Sequence, residues 1–175
     1  MKMYNMVNCD FSFHKVTSIS WAGIDFMKNG LDYTKFDFAT IAKCTKAIVN
    51  KDFTINCKLE VKATNPGKKE AAIEGFDYIL YYADEKLGDG TSTNQNKIVV
   101  APKGGSTVIP ISLRVNLADL VDVKNPVQSG EKVVNIINDI SQLGSGDTPF
   151  AVKIRPHFRR GNDVVNGPYF TIRDN

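Results

Sequence analysis

Apolar and polar residues alternate along the chain from position 53 to position 62. The apolar positions are Phe53, Ile55, Cys57, Leu59 and Val61. A period of two is typical of a strand that buries one face and exposes the other. Asn65-Pro66-Gly67 follows and has the composition of a turn, so this pattern predicts a strand that ends in a reversal.

Six further segments have strand patterns. They are residues 16–24, 76–82, 97–100, 107–115, 150–158 and 168–172. The segment 76–82 is apolar on both faces, which predicts a central strand. Pro110 interrupts the segment 107–115 at a polar position, which predicts an edge strand or a bulge. Reversals are predicted at Gly88-Asp89-Gly90 and at Lys103-Gly104-Gly105.

Two segments have a helical period instead. In the second, at about residues 130–143, the apolar stripe is Val133, Ile136, Ile137, Ile140 and Leu143. Ser129 is the predicted cap of this helix and Gly144 its predicted stop. In the first, at about residues 36–49, the predicted stripe is Phe38, Ile41, Ala42, Thr45 and Ile48.

About seven strands with turn signals every 8–12 residues or so predict a mostly β, antiparallel β-sandwich. The two helices are accessory elements that would cover open ends or edges of the sandwich. We divide the chain into a lead segment, residues 1–15, and a single sandwich domain, residues 16–175.

Composition mainly argues against particular classes of protein and of site. The chain has 175 residues, 42% of them hydrophobic, and a net charge of only +3, which does not by itself indicate binding to nucleic acid. No apolar run approaches the roughly 20 residues that span a bilayer. Three cysteines fit no metal or redox spacing; Cys57 is predicted to be buried, and Cys9 is the one expected to be exposed.

The order of the strand motifs resembles the late-embryogenesis-abundant type 2 domain, also called the water-stress and hypersensitive-response domain. The motifs are Val61-Lys62-Ala63-Thr64-Asn65-Pro66, then Gly75-Phe76-Asp77-Tyr78-Ile79-Leu80, then a Gly-rich turn before the long alternating strand from Thr107. The resemblance covers roughly residues 16–158. Two segments, residues 16–24 and 152–158, resemble bacterial envelope members of the family, which are often lipoproteins.

This resemblance implies an immunoglobulin-like or fibronectin-III-like sandwich without enzymatic activity. It also implies a periplasmic or membrane-anchored location through a lipidated cysteine, with the cytoplasm as the alternative. Cys9 departs from the family pattern, since Met6-Val7-Asn8 before it is not a lipidation motif and no apolar segment precedes it. An anchor cysteine would therefore have to come from outside this sequence.

The sequence contains no recognisable catalytic constellation. His14 and His157 are the two histidines, and neither belongs to a recognisable nucleophile or metal motif. We therefore predict no catalytic residue, cofactor or metal ligand. The aromatic residues Phe76, Tyr78, Tyr81 and Tyr82 could pack in the core or line a ligand groove, and core packing is favoured.

One surface feature stands out. Lys153, Arg155, His157 and Arg159 alternate along a predicted strand, and Arg160 follows. A strand would align these five residues, here called the basic stripe, into a row about 20 Å long. The stripe could be an ordinary solvated face balanced by acidic neighbours, or a contact for an anionic surface such as a lipid headgroup, a polysaccharide or a nucleic acid.

The leading hypothesis is a non-enzymatic, monomeric module of the cell envelope that binds a partner protein, a glycan or a hydrophobic ligand. The alternative is a stress-protective structural protein without a defined site. A hydrolase is a distant third.

Overall fold

A computed structural model describes residues 4–29, 32–121, 124–160 and 162–174; for residues 4, 5, 29, 93–96, 159 and 160 it describes the backbone alone. These residues form nine strands: β1 (Asp10–Trp21), β2 (Ile24–Asp25), β3 (Thr54–Asn65), β4 (Ala71–Tyr82), β5 (Glu85–Val100), β6 (Gly105–Asn116), β7 (Phe150–Arg160), β8 (Asp163–Asn166) and β9 (Phe170–Arg173). The α-helices are α1 (Phe26–Asn29), α2 (Phe38–Val49) and α3 (Pro126–Ser141).

The strands form two antiparallel sheets. The first has the order β2-β1-β3-β6; the second has the order β5-β4-β7-β8, and β9 also pairs with β7. The apolar residues between the sheets form one contiguous core cluster. The mostly β, antiparallel sandwich predicted from the sequence is confirmed. So is the edge position predicted from Pro110, because β6 is the outer strand of the first sheet.

The structure has nine strands where the sequence predicts about seven, because β2 and β8 are short and lack an alternating apolar pattern. One predicted reversal is wrong, since Gly88-Asp89-Gly90 lies inside β5. The chain reverses earlier, at Ala83 and Asp84, whose φ values are 46° and 67°. A Cβ atom at Gly88 would lie 2.9 Å from the Arg114 carbonyl oxygen, so this glycine allows β5 to pass close to β6.

Strand β1 begins inside the segment that the sequence pattern separates as residues 1–15. Met6, Cys9 and Phe13 belong to the core, so the expectation that Cys9 is exposed is wrong. Bulges follow Phe13 and Val16 in the pairing with β3. Each bulge adds one residue, which places the buried side chains of β1 three residues apart and conceals the period of two.

Both accessory helices are present. Helix α2 begins after Asp37, whose carboxylate accepts a hydrogen bond from the Thr40 backbone N–H at 2.7 Å. Its predicted stripe is wrong in part, because Phe38 is 88% exposed. The buried residues of α2 are Cys44, Ala47 and Ile48.

Helix α3 begins earlier than predicted. Asn125 caps it and Pro126 occupies its first turn, whereas Ser129, the predicted cap, is buried within the helix. The predicted apolar stripe from Val133 to Leu143 is buried as expected. The Tyr82 hydroxyl donates a hydrogen bond to the Asp139 carboxylate at 3.0 Å, which joins α3 to β4. None of the described helices has the length and apolar character needed to cross a membrane.

Candidate functional site

The part of the basic stripe whose side chains the structure describes lies on the outer face of the second sheet. In β7, Lys153, Arg155 and His157 point outward, and the intervening Ile154 and Pro156 are buried. The predicted alternation therefore holds for these three side chains. The side chains of Arg159 and Arg160, also predicted for this contact, lie outside the described residues.

Asp77, an acidic residue on the neighbouring strand, contacts Arg155 and His157 of the stripe. Asp77 of β4 pairs directly with Arg155 in the sheet register. Arg155 Nε and Nη2 donate hydrogen bonds to Asp77 Oδ2 at 2.9 and 2.5 Å. His157 Nε2 lies 3.0 Å from Asp77 Oδ1, and the Thr91 hydroxyl donates to the same oxygen at 2.7 Å. We call Asp77, Thr91, Arg155 and His157 the Asp77 cluster.

Two tyrosine rings flank this cluster. The Lys153 ammonium lies 5.1 Å from the centre of the Tyr81 ring, and the Arg155 guanidinium lies 4.9 Å from the centre of the Tyr169 ring. Both are cation–π distances. Tyr169 is 45% exposed, so part of its ring surface remains open to a ligand.

The hydrogen bonds of the Asp77 cluster decide the protonation state of its acid. Burial by itself raises the pKa of Asp77, but hydrogen bonds from His157, Thr91 and Arg155 outweigh it and hold the pKa at about 2. Asp77 is therefore a carboxylate at neutral pH. Its four contacts use all of the roughly four acceptor positions of a carboxylate.

Asp77 should make the stability of the fold depend on pH in the acid range. Because its pKa in the folded protein is about 2, below the ordinary value of 3.8, the ionised form stabilises the folded state. This contribution is complete well above 3.8 and is lost as the pH falls towards 2. We expect Asp77→Asn to cost on the order of 2 kcal/mol at neutral pH and almost nothing near pH 2.

Urea unfolding at a series of pH values measures this difference. The matched control is Asp89→Asn, because Asp89 is an exposed carboxylate on the same sheet that pairs with Lys86. Its effect should stay below about 0.5 kcal/mol throughout. A loss for Asp77→Asn that is the same at both ends of the pH range would contradict the assignment.

The sequence leaves both core packing and a ligand groove open to Phe76, Tyr78, Tyr81 and Tyr82, and the structure places these residues differently. Phe76 and Tyr78 are buried, in agreement with the favoured core packing. Tyr82 is half-buried against Phe150, at 4.8 Å between ring centres. Tyr81 is half-buried on the outer face beneath Lys153. Of the four, Tyr81 is therefore the one that belongs to the candidate site.

The remaining chemistry-bearing residues do not form a catalytic arrangement among the described contacts. In the Asp77 cluster the acid lies between the hydroxyl and the imidazole, whereas nucleophilic catalysis needs the imidazole in the middle. The cysteines are buried, and burial raises the pKa of Cys44 to about 11 and that of Cys57 to about 12. Such thiols stay protonated and unreactive at neutral pH. The described residues contain no group of three potential metal ligands.

An apolar cavity lies between the two sheets, among residues that include Met6, Phe11, Phe76 and Phe170. Its volume is about 10 Å³. Ligand pockets measure about 300–1,000 Å³, so this cavity cannot hold the hydrophobic ligand considered from the sequence. The candidate site is therefore the outer sheet face around the Asp77 cluster.

Comparison with known proteins leaves the family open. No family model matches the chain, and no curated protein matches it. One similar solved structure is a protein from Archaeoglobus fulgidus, 21% identical over 66% of this chain and 80% of its own, with a TM-score of 0.37. Another is a protein provisionally named ApaA from Bordetella pertussis, 12% identical over 93% of this chain and 92% of its own, with a TM-score of 0.36.

A third similar structure is a protein provisionally assigned to the late embryogenesis abundant group. It is 13% identical, covers 98% of this chain and 75% of its own length, and has a TM-score of 0.36. None of the three is named as an enzyme. Similarities this low carry no argument about family, location or partner, and the fold assignment rests on the strand pairing.

Proposed function

We propose that this protein is a non-enzymatic binding module of the cell envelope, and that it binds an acidic polysaccharide on the outer face of its second sheet. The observation that carries the proposal is that the hydrogen bonds of the Asp77 cluster leave donors unused but no acceptors. Asp77 has no acceptor position to spare, whereas the cations around it still have donors.

The donors can be counted from side-chain chemistry. A guanidinium has five N–H donors and Arg155 uses two of its nitrogens on Asp77; the Lys153 ammonium has three donors and is exposed. A ligand that fits this face must therefore supply acceptors, and carboxylates satisfy lysine and arginine best. Because alternate residues of a strand lie about 6.6 Å apart, the stripe suits a ligand with repeated acidic groups.

The tyrosines favour a glycan over other polyanions. Sugar rings have C–H faces that pack on aromatic rings, and Tyr169 and Tyr81 lie beside the cations. The hydrogen bonds of Arg155 to Asp77 fix the guanidinium before any ligand arrives, so less conformational entropy is lost on binding.

Binding to polygalacturonate, a polymer of uronic acid, tests the proposal. We expect wild-type protein to bind it and not the neutral polymer dextran, with affinity that falls steeply between about 0.05 and 0.5 M salt. The double variant Lys153→Glu with Arg155→Gln should lose at least about tenfold in affinity, because charge-assisted contacts of this kind contribute about 1.5–3 kcal/mol each. Isothermal titration calorimetry measures both.

The matched control carries the same change of net charge elsewhere on the surface. Lys132→Glu in α3 with Lys62→Gln in β3 alters two exposed lysines far from β7 in the fold, and should leave the affinity within about twofold. An equal loss in both variants would mean that only net charge matters and would overturn the proposed site. Failure to bind, together with equal protection of a heat-labile enzyme by wild type and variant, would favour the stress-protective alternative.

The envelope location rests on the resemblance described above. We expect the native protein in the periplasmic or membrane fraction of its cells, and recovery in the cytosol alone would contradict this location.

A further inference from the structure

The outer face of the first sheet has a polar depression. It is an open groove of about 440 Å³. Its polar and charged lining comes mainly from three adjacent strands: Ser18 and Ser20 of β1, Asn56 and Lys58 of β3, and Ser112 and Arg114 of β6. Cys57, Leu113 and, from β4 of the second sheet, Tyr78 complete the lining. This volume lies within the usual range for small-molecule sites, about 300–1,000 Å³.

The sheet register arranges these residues in two rows. Ser18, Lys58 and Ser112 pair across the three strands in one row, and Ser20, Asn56 and Arg114 pair in the next. Neighbouring strands lie about 4.8 Å apart, and the two rows are about 6.6 Å apart along each strand. Each row therefore holds one cation among short polar side chains. The short side chains form the floor, and the long cationic ones can reach over it.

The bulges of β1 create this arrangement. The register shift between Val16 and Ser18 places Ser18 opposite Lys58 and Ser20 opposite Asn56. The Thr17 hydroxyl donates a hydrogen bond to the Lys58 carbonyl at 3.2 Å and fixes the bulge against β3. Bulges are over-represented beside functional sites, where they redirect side chains.

The charge in the groove is positive and unbalanced. No acidic residue belongs to its described lining, and no ion pair of Lys58 or Arg114 occurs among the described residues. The acid on the same face of β3, Glu60, is 3.7 Å from Lys15 Nζ and 4.0 Å from His14 Nε2. A dianionic group bound between Lys58 and Arg114 would complement two cations that no ion pair among the described residues neutralises.

We propose that this groove binds a small sugar phosphate, with Lys58 and Arg114 on the phosphate group and the serines and Asn56 on the sugar hydroxyls. A bare phosphate ion would occupy only part of the groove. The neutral remainder of the lining includes the hydroxyl groups of Ser18, Ser20 and Ser112 and the amide of Asn56, which both donate and accept hydrogen bonds as sugar hydroxyls do; its other members are Cys57, Tyr78 and Leu113. The residues assigned to the phosphate and the sugar lie in the first sheet, whereas those of the polysaccharide face lie in the second.

Titration of the ¹⁵N-labelled full chain with glucose 6-phosphate, followed by NMR, tests this site. We expect shifts concentrated at residues 18–20, 56–58 and 112–114, and affinity at least about threefold tighter than for inorganic phosphate. Glucose alone should cause no shifts at these positions. Lys58→Gln and Arg114→Gln should each weaken glucose 6-phosphate binding about tenfold or more, which is the effect of losing one charge-assisted contact.

Two controls keep the test independent of folding and of the polysaccharide face. Lys62→Gln removes an exposed lysine from the same face of the same strand, two sheet rows from Lys58, and should change affinity less than twofold or so. Lys153→Gln, on the other sheet, should have no effect. Absence of shifts in the groove, affinity equal to that for inorganic phosphate, or equal losses in Lys62→Gln and Arg114→Gln would each overturn the proposal.

Discussion

Replacement of Asn65 by alanine should lower the free energy of unfolding by about 3 kcal/mol. Asn65 is fully buried at the end of β3. Its amide nitrogen donates to the carbonyl oxygens of Lys69 at 2.9 Å and Val100 at 3.2 Å. Its amide oxygen accepts from the Gly67 backbone N–H at 3.0 Å. Removal of this side chain takes one hydrogen-bond partner from each of three backbone groups, and a buried group left unsatisfied costs about 1–3 kcal/mol.

Urea unfolding can be followed through Trp21, the single tryptophan, which is 1% exposed in the folded protein. The unfolding midpoint should fall while the slope with urea stays constant, as expected for a change in stability alone. Asn56→Ala is the matched control, since Asn56 is exposed on the same strand, and its effect should be within about 0.5 kcal/mol. A comparable loss in both variants would contradict the structural role assigned to Asn65.

Asn65 shows what a local pattern can and cannot predict. Asn65-Pro66-Gly67 predicts a turn because its residue types favour one, and the structure confirms that β3 ends there. The reason for an asparagine at this position is tertiary. One of its partners, Val100, lies 35 residues further along the chain, and no local pattern indicates that contact.

The glycines of β5 illustrate the opposite error. Gly88-Asp89-Gly90 has the composition of a turn, yet it runs through a strand. A Cβ atom at Gly90 would lie 2.5 Å from the Tyr78 hydroxyl oxygen, so this glycine provides room for a neighbouring side chain. Sequence composition cannot distinguish a glycine that permits a turn from one that permits close packing.

The candidate site was predictable to the same extent. Alternation along β7 predicts that Lys153, Arg155 and His157 share one face, because a strand has a period of two. The partner of Arg155 is Asp77, which lies 78 positions earlier in the chain and follows from the pairing of β4 with β7. The groove on the first sheet does not follow from the sequence, because its residues come from four strands and a bulge sets the register of β1. A signal that could have indicated it is the alternation of short polar and cationic residues on the outward positions of β3 and β6.

Replacement of Asp174 by alanine should cost about 2–3 kcal/mol, the second largest effect expected. Asp174 is 6% exposed although it is charged. One carboxylate oxygen accepts hydrogen bonds from the backbone N–H groups of Gly144 at 3.0 Å and Gly146 at 3.3 Å, and the other accepts from the Thr148 hydroxyl at 2.8 Å. The carboxylate thus holds the loop that joins α3 to β7.

The backbone conformation of this loop explains why its N–H groups need a hydrogen-bond acceptor from outside the loop. Gly144, Gly146 and Asp147 have φ values of 95°, 83° and 84°, so the loop does not continue as helix or strand, and these three N–H groups donate to Asp174 instead. The backbone carbonyl of Asp174 also accepts from the Asp147 N–H at 2.8 Å. An alanine retains this last bond and loses the three made by the side chain.

A conservative variant separates the hydrogen bonds from the charge. Asp174→Asn keeps one oxygen for the two glycine N–H groups, and its amide can donate to the Thr148 hydroxyl, so we expect it to recover about half of the loss. Asp163→Ala, in the exposed strand β8, is the control and should change stability by less than about 0.5 kcal/mol. If Asp174→Ala were as harmless as Asp163→Ala, other groups would have to satisfy the loop N–H groups, and the role assigned to this carboxylate would be wrong.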